Sequence, residues 1–106
     1  MMIDADVRRI ATEFNLDPKL VQSVVKQEGD IVRAVQCSVP DVTTREQAIR
    51  ILCLSLVHRL WEFAGQRPGA FVAYFGSKWA PYPTANDPKG LNRFFVPNVL
   101  QFWTES

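Results

Sequence analysis

Apolar residues recur along the chain at spacings of three and four, and the breaks between the runs fall on Asp, Asn, Thr, Pro and Gly. That period predicts helices that bury one face. The first spans Asp4 to Phe14, capped by Asp4 or Asp6, with Val7, Ile10, Ala11 and Phe14 turned inward. Asn15 breaks it. The next helix has both ends marked: Asp17 can cap the first turn, Pro18 suits the first helical position, and Gly29 can take the left-handed conformation that ends a helix. Leu20, Val21, Val24 and Val25 share its apolar face, and Glu28 follows one turn later at the end of that face.

Gly29 to Ser38, with Ile31, Val32, Ala34, Val35 and Cys37, predicts a short helical stretch that Pro40 ends. Thr43 and Glu46, three apart, form a capping-box pattern that opens the longest helix, about Thr44 to Ala64, with Gly65 as its stop. Its apolar positions, among them Ile49, Leu52, Leu54, Leu56, Leu60 and Trp61, occupy more than one face, as in a central buried helix. Pro68 starts another helix carrying Phe71, Val72, Tyr74 and Phe75, before Gly76. Trp79 to Asn92 is a loop rich in Pro, Asn, Asp and Gly, and a last helix covers about Phe95 to Trp103 with Pro97 in its first turn. No segment alternates like a strand and no repeat is present. The expected fold is all-α, a single domain over 1–106 with five to six helices around the long one at 44–64.

Composition narrows the function. A chain with 47% apolar and 22% charged residues is an ordinary globule with enough core to stand without staples. A net charge of +1 gives no nucleic-acid footprint. No apolar run reaches the roughly 20 residues of a membrane span. The first residues lack the basic-then-apolar order of a secretory signal. Cys37 and Cys53 read as buried free thiols rather than a disulfide, and neither a metal site nor any other cofactor is expected.

Glu28 is the first candidate for chemistry. A carboxylic acid whose charged form is disfavoured by apolar neighbours keeps its proton near neutral pH and can donate it, which is what cleaving a glycosidic bond requires. The plainer reading is a solvated surface Glu, although a helix C-terminus prefers cations. His58 reads as a core histidine satisfied by a neighbouring oxygen rather than a base or ligand. Arg45, Glu46, Arg50, Arg59 and Glu62 read as solvated stripes of the long helix, and Phe102 as core. Trp79 and Tyr82, beside Pro81 and Pro83, are equally placed to be core or the wall of a sugar-binding groove. Asn86 and Asp87 suit a turn before Pro88, or a hydrogen bond to substrate and a second carboxylate.

The order of these pieces resembles the lytic transglycosylase family of the lysozyme-like superfamily. The segment Leu16 to Glu28, with Asp17-Pro18 at its start, is similar to that family's opening helix, whose final Glu is the catalytic acid and base. The resemblance implies that role for Glu28. Ala34 to Pro40 resembles the segment whose Gln lines the substrate groove, which implies Gln36. Ala73-Tyr74-Phe75-Gly76 resembles the family's tyrosine turn, with Tyr74 in the tyrosine position. Asn92 to Val99 resembles the element that packs back onto the active site. Gly29 stands where the family has Ser, Phe75 where it has Asn, and Phe95 where it has Tyr.

Two functions are therefore carried forward. One is a peptidoglycan-cleaving enzyme acting on the β-1,4 bond between N-acetylmuramic acid and N-acetylglucosamine. Glu28 would act alone, with Gln36, Tyr74, Trp79, Tyr82 and Asn86 binding substrate. A hydrolytic outcome would need a second carboxylate from Asp30, Asp41 or Asp87. The other is a binding or structural module on the same fold without turnover, for which virion or assembly partners would suit a chain delivered to the cell wall without a visible signal peptide; a small cytosolic interaction protein is the third, plainer option.

Overall fold

The computed structural model describes residues 1–63, 68–84 and 87–104, with the backbone alone at 68–70. Among these residues the chain forms six α-helices: α1 (Ala5–Glu13), α2 (Pro18–Glu28), α3 (Ile31–Gln36), α4 (Arg45–Glu62), α5 (Pro68–Trp79) and α6 (Phe95–Thr104). A 3₁₀ turn, Leu91–Phe94, leads into α6. The fold is all-α, as the spacing predicts. Ala64 and Gly65, expected to close the long helix, lie outside the described residues, as does Asn86.

The predicted caps operate at α2 and, with a change of register, at α4, but not at α1. Asn15 takes a left-handed φ of 56°, and the Leu16 N–H returns to the Ala11 carbonyl at 2.9 Å, which turns the chain from α1 into α2. Asp17 accepts the Lys19 N–H at 2.9 Å, and Gly29 at φ 73° ends α2. At α4 the cap is Thr44, one residue later than Thr43. Its hydroxyl accepts the Gln47 N–H at 3.2 Å, and Gln47 Oε1 accepts from the N–H groups of Thr43 and Thr44. Gln47 therefore has the reciprocal role expected of Glu46, whose charge is used elsewhere. Asp4 flanks α1 without a side-chain cap, because its backbone N–H and carboxylate meet the amide of the buried Gln22 and its carboxylate also takes Arg45.

The core runs through all six helices, and α2 contributes most completely to it. Leu20, Val21, Val24 and Val25 are buried, together with Gln22 and Ser23, and α2 touches α1, α3, α4 and α6. The long helix α4 joins the core between Ala48 and Leu56, through Ala48, Ile49, Leu52, Cys53 and Leu56. Its further apolar residues point outward: Leu54 is 56% exposed, Leu60 37% and Trp61 82%. The surplus of apolar positions that suggests a wholly buried helix is thus carried on its surface.

Gly76 differs most from expectation. It lies inside α5 rather than at its end, and a Cβ there would stand 2.6 Å from Val96 Cγ2 and 3.2 Å from Phe95 Cδ1. Its bare backbone lets α6 lie directly against α5. Because the helix continues past it, Trp79 becomes the last residue of α5 rather than the first of a loop.

Candidate functional site

Three chain ends meet around Glu28: the C-terminus of α2, the C-terminus of α5 and the turn before α6. Glu28 is half-buried as the last residue of α2. Trp79, last in α5, donates its indole N–H to Glu28 Oε1 at 2.6 Å. The Trp79 ring stacks on buried Phe75, with centroids 5.4 Å apart and planes 21° apart, and Phe75 in turn lies against Phe71 and Phe95. The donor is therefore held by the core.

Burial pushes the Glu28 carboxyl above its ordinary value, and the Trp79 hydrogen bond offsets only part of that. No ion pair to Glu28 is present among the described residues. The net direction is a higher proton affinity than an exposed Glu has.

Glu28 opens onto a groove of about 690 Å³ bounded by the end of α3, the outer face of α4 and the end of α5, with Val39, Leu54, Ser55, His58 and Trp79 among its walls. A second recess of about 450 Å³ lies toward Gln27, Phe94, Phe95 and Asn98. The two are neighbours, and Glu28, Ala80, Asp87 and Asn92 line both.

Asp87 fixes the loop that closes this cleft. Oδ1 accepts the Leu91 N–H at 3.0 Å and Oδ2 the Asn92 N–H at 2.8 Å, which caps the 3₁₀ turn. Asn92 Nδ2 donates to the Pro81 carbonyl at 2.9 Å and ties the two sides of the loop together.

Of the residues proposed from the sequence, the structure brings Glu28 and Trp79 together. Gln36 does not line the groove. Its Nε2 donates to the Val42 carbonyl at 2.8 Å and anchors the connection between α3 and α4. Tyr74 faces the other way and donates its hydroxyl to Glu62. Tyr82 is 55% exposed and lines neither recess. Of the candidate second carboxylates, Asp87 lines the groove, while Asp30 caps α3 through the Arg33 N–H and exposed Asp41 stays outside the groove.

Other residues depart from their sequence reading. His58 is exposed, not core, and its Nε2 lies 3.0 Å from Glu62 Oε1. Cys53 is buried as expected, with burial pushing its thiol up to about 11, but Cys37 is exposed on the groove wall. Phe102 is half-buried, with Lys26 Nζ 4.3 Å from its ring centroid. Arg45, Glu46 and Arg50 reach solvent as expected, and in addition they pair with Asp4, Asp6, Arg9 and Glu13 at and before α1. Sequence reasoning missed Asn92, Ser55 and Lys78 as groove residues. Lys78 left a trace as the neighbour of Trp79, and Asn92 as the first residue of the segment expected to pack onto the site.

Among the described residues no group of three or more His, Cys, Asp and Glu side chains could hold a metal ion, and no helix is long and apolar enough to cross a membrane. No protein-family model, curated protein or solved structure matches the chain.

Proposed function

We propose that this chain cleaves peptidoglycan glycan strands at the β-1,4 bond between N-acetylmuramic acid and N-acetylglucosamine, by the lytic transglycosylase route. The observation that carries the reading is the Glu28 carboxyl, half-buried and lining both recesses, raised in proton affinity by burial and oriented by the Trp79 indole. Protonated Glu28 gives its proton to the bridging oxygen as the bond to C1 breaks. The resulting carboxylate then takes the proton of the C6 hydroxyl as that oxygen closes on C1, leaving an anhydro sugar end and restoring the acid. Asp87 lines the same cleft, but both of its oxygens accept backbone N–H groups that hold the loop. That commitment favours the route in which one carboxyl does both proton transfers over one that needs a second carboxylate.

A binding or structural module, carried in a virion or other assembly, is the second reading. It is supported by Gln36 and Tyr74, which commit their polar groups to the Val42 carbonyl and to Glu62, and by Phe95, which brings no hydroxyl to the recess it shares with Glu28.

Purified peptidoglycan should be cleared by the wild type and by Glu28→Gln at a rate lower by about 10²–10⁴-fold, the usual worth of a positioned acid. Equal clearing by both would remove Glu28 from the chemistry, while no clearing by either would leave the binding module. Product mass separates anhydro ends from hydrolysed ones. Trp79→Phe keeps the ring but removes the donor that favours ionised Glu28. The alkaline limb of the pH–rate profile should therefore move upward, with kcat reduced by the loosened orientation. A fall in rate with an unmoved limb would make Trp79 a packing residue only.

A further inference from the structure

Three large apolar side chains stand exposed between α5 and α6: Tyr82 at 55%, Leu91 at 57% and Phe94 at 43%. Their neighbours join them into one surface. Gly90 takes a left-handed φ of 66°, and a Cβ there would stand 2.5 Å from Arg93 Nη1 and 3.3 Å from Tyr82 Cε2. The Arg93 guanidinium lies 4.5 Å from the centroid of the Phe94 ring. Leu91 precedes Phe94 by three positions in the 3₁₀ turn, a spacing at which side chains eclipse. The surface is held in shape by the Asp87 and Asn92 hydrogen bonds and by Arg93 Nη1, which donates to the Gly90 carbonyl at 2.9 Å.

Its charge has one sign. From Trp79 to Thr104 the chain carries two cations, Lys89 and Arg93, and one acidic residue, Asp87. The Asp87 carboxylate is taken by the Leu91 and Asn92 N–H groups, and Glu28, lining the second recess, is half-buried and bonded to Trp79. Lys89 and Arg93 are exposed, and neither has a carboxylate partner among the described residues, whereas Arg9, Arg45, Arg50 and Arg59 each have one.

We propose that this loop surface docks the protein on an anionic lipid bilayer, with Leu91, Phe94 and Tyr82 entering the interface and Lys89 and Arg93 meeting the headgroup phosphates. Cations attract the negative surface, apolar side chains enter the acyl boundary, and a tyrosine suits the level between them. Three side chains fall well short of the roughly 20–30 residues a side that a specific protein interface uses. A bilayer's pull instead adds up from each buried side chain and each nearby cation. Leu91 and Phe94 also edge the second recess, so docking brings Glu28 close to the bilayer surface. The proposal rests on the loop alone and is independent of whether Glu28 cleaves glycan.

Flotation of the full chain with vesicles tests it. Phosphatidylcholine mixed with phosphatidylglycerol should bind the wild type about thirtyfold tighter than phosphatidylcholine alone, the combined worth of two cations at an anionic surface. Lys89→Gln, which leaves the Arg93 bonds in place, should lose about fivefold on the anionic vesicles and nothing on the neutral ones. Leu91→Ser combined with Phe94→Ser should lose about tenfold or more on both, while its far-ultraviolet dichroism stays that of the wild type because both side chains are exposed. Equal binding of the wild type to the two vesicle types, or binding to neither, would overturn the dock. So would undiminished binding by the double variant, which would leave charge adsorption alone. A dimer that sediments without lipid and dissociates in the double variant would assign the surface to a second copy instead. Clearing of peptidoglycan is measured without vesicles, so failure of the dock and failure of the Glu28 reading are seen separately.

Discussion

The two halves of α4 share one helix and a similar apolar content, yet they serve different ends. In the first half Ala48, Ile49, Leu52 and Cys53 are buried, and the flanking charges are answered from α1: Arg45 by Asp4 and Asp6, Glu46 by Arg9, Arg50 by Glu13. In the second half only Leu56 stays fully buried, while Leu54, Leu60 and Trp61 are exposed, and Leu54, Ser55 and His58 wall a groove. The difference lies in what stands opposite. A helix face becomes core only where a neighbour covers it, and composition alone does not say where neighbours stop.

The carboxylates are sorted by their partners instead, and Glu62 in α4's second half is held below its ordinary value by the Tyr74 hydroxyl, with Arg59 adding to it. Beside α4's first half, the Arg50 hydrogen bond holds Glu13 below its ordinary value and the Arg9 hydrogen bond does the same for Glu46. At Asp6, burial raises the value but the bond and charge of Arg45 outweigh it. Glu28, buried beside an indole instead of a guanidinium, moves the other way.

Truncation would test the contrast most severely. Leu52→Ala should cost about 2–5 kcal/mol, as a large-to-small change in a closed core does. Leu54→Ala, one turn-face away, should stay within about 0.5 kcal/mol. Chemical denaturation measures both, and similar losses at the two positions would erase the division.

Gly76→Ala comes next in size. At an open helical site the change would stabilise by about 1 kcal/mol. Here the new methyl meets Val96, so a loss of about 1–3 kcal/mol is expected, with part of it recovered in Gly76→Ala combined with Val96→Ala. A gain in the single variant would show that α5 and α6 are not held in contact at that point.

The smallest effect sharpens the electrostatic side. Below the ordinary carboxylate value Glu28 is protonated in both folded and unfolded chains and contributes no difference. As pH rises from there through its raised folded value, the unfolded chain ionises first and folding loses stability. Glu28→Gln removes that loss. The variant should melt above wild type at neutral pH, with the gap closing near pH 4, about where a free Glu titrates. Asp6, Glu13 and Glu46 have the opposite sign, their contribution being complete above the ordinary value and lost as pH falls through their lowered ones. A gap for Glu28→Gln that widens in acid would contradict the assignment.

Helix content, the caps at Asp17 and Gly29, and the inward faces of α1 and α2 were legible in the chain, because each depends on residues within a turn or two of one another. Glu28 was legible as a carboxylate at the end of an apolar face, for the same local reason. What tertiary structure alone decided is its company. The Trp79 bond spans 51 positions and exists because Gly76 lets α5 run on against α6. Gln36 and Tyr74 are turned from the groove by Val42 and Glu62, and Lys78 is brought to it, through contacts between segments that local sequence cannot relate. Side-chain periodicity sets which residues share a face; only the packing of the six helices sets which faces remain open to a ligand.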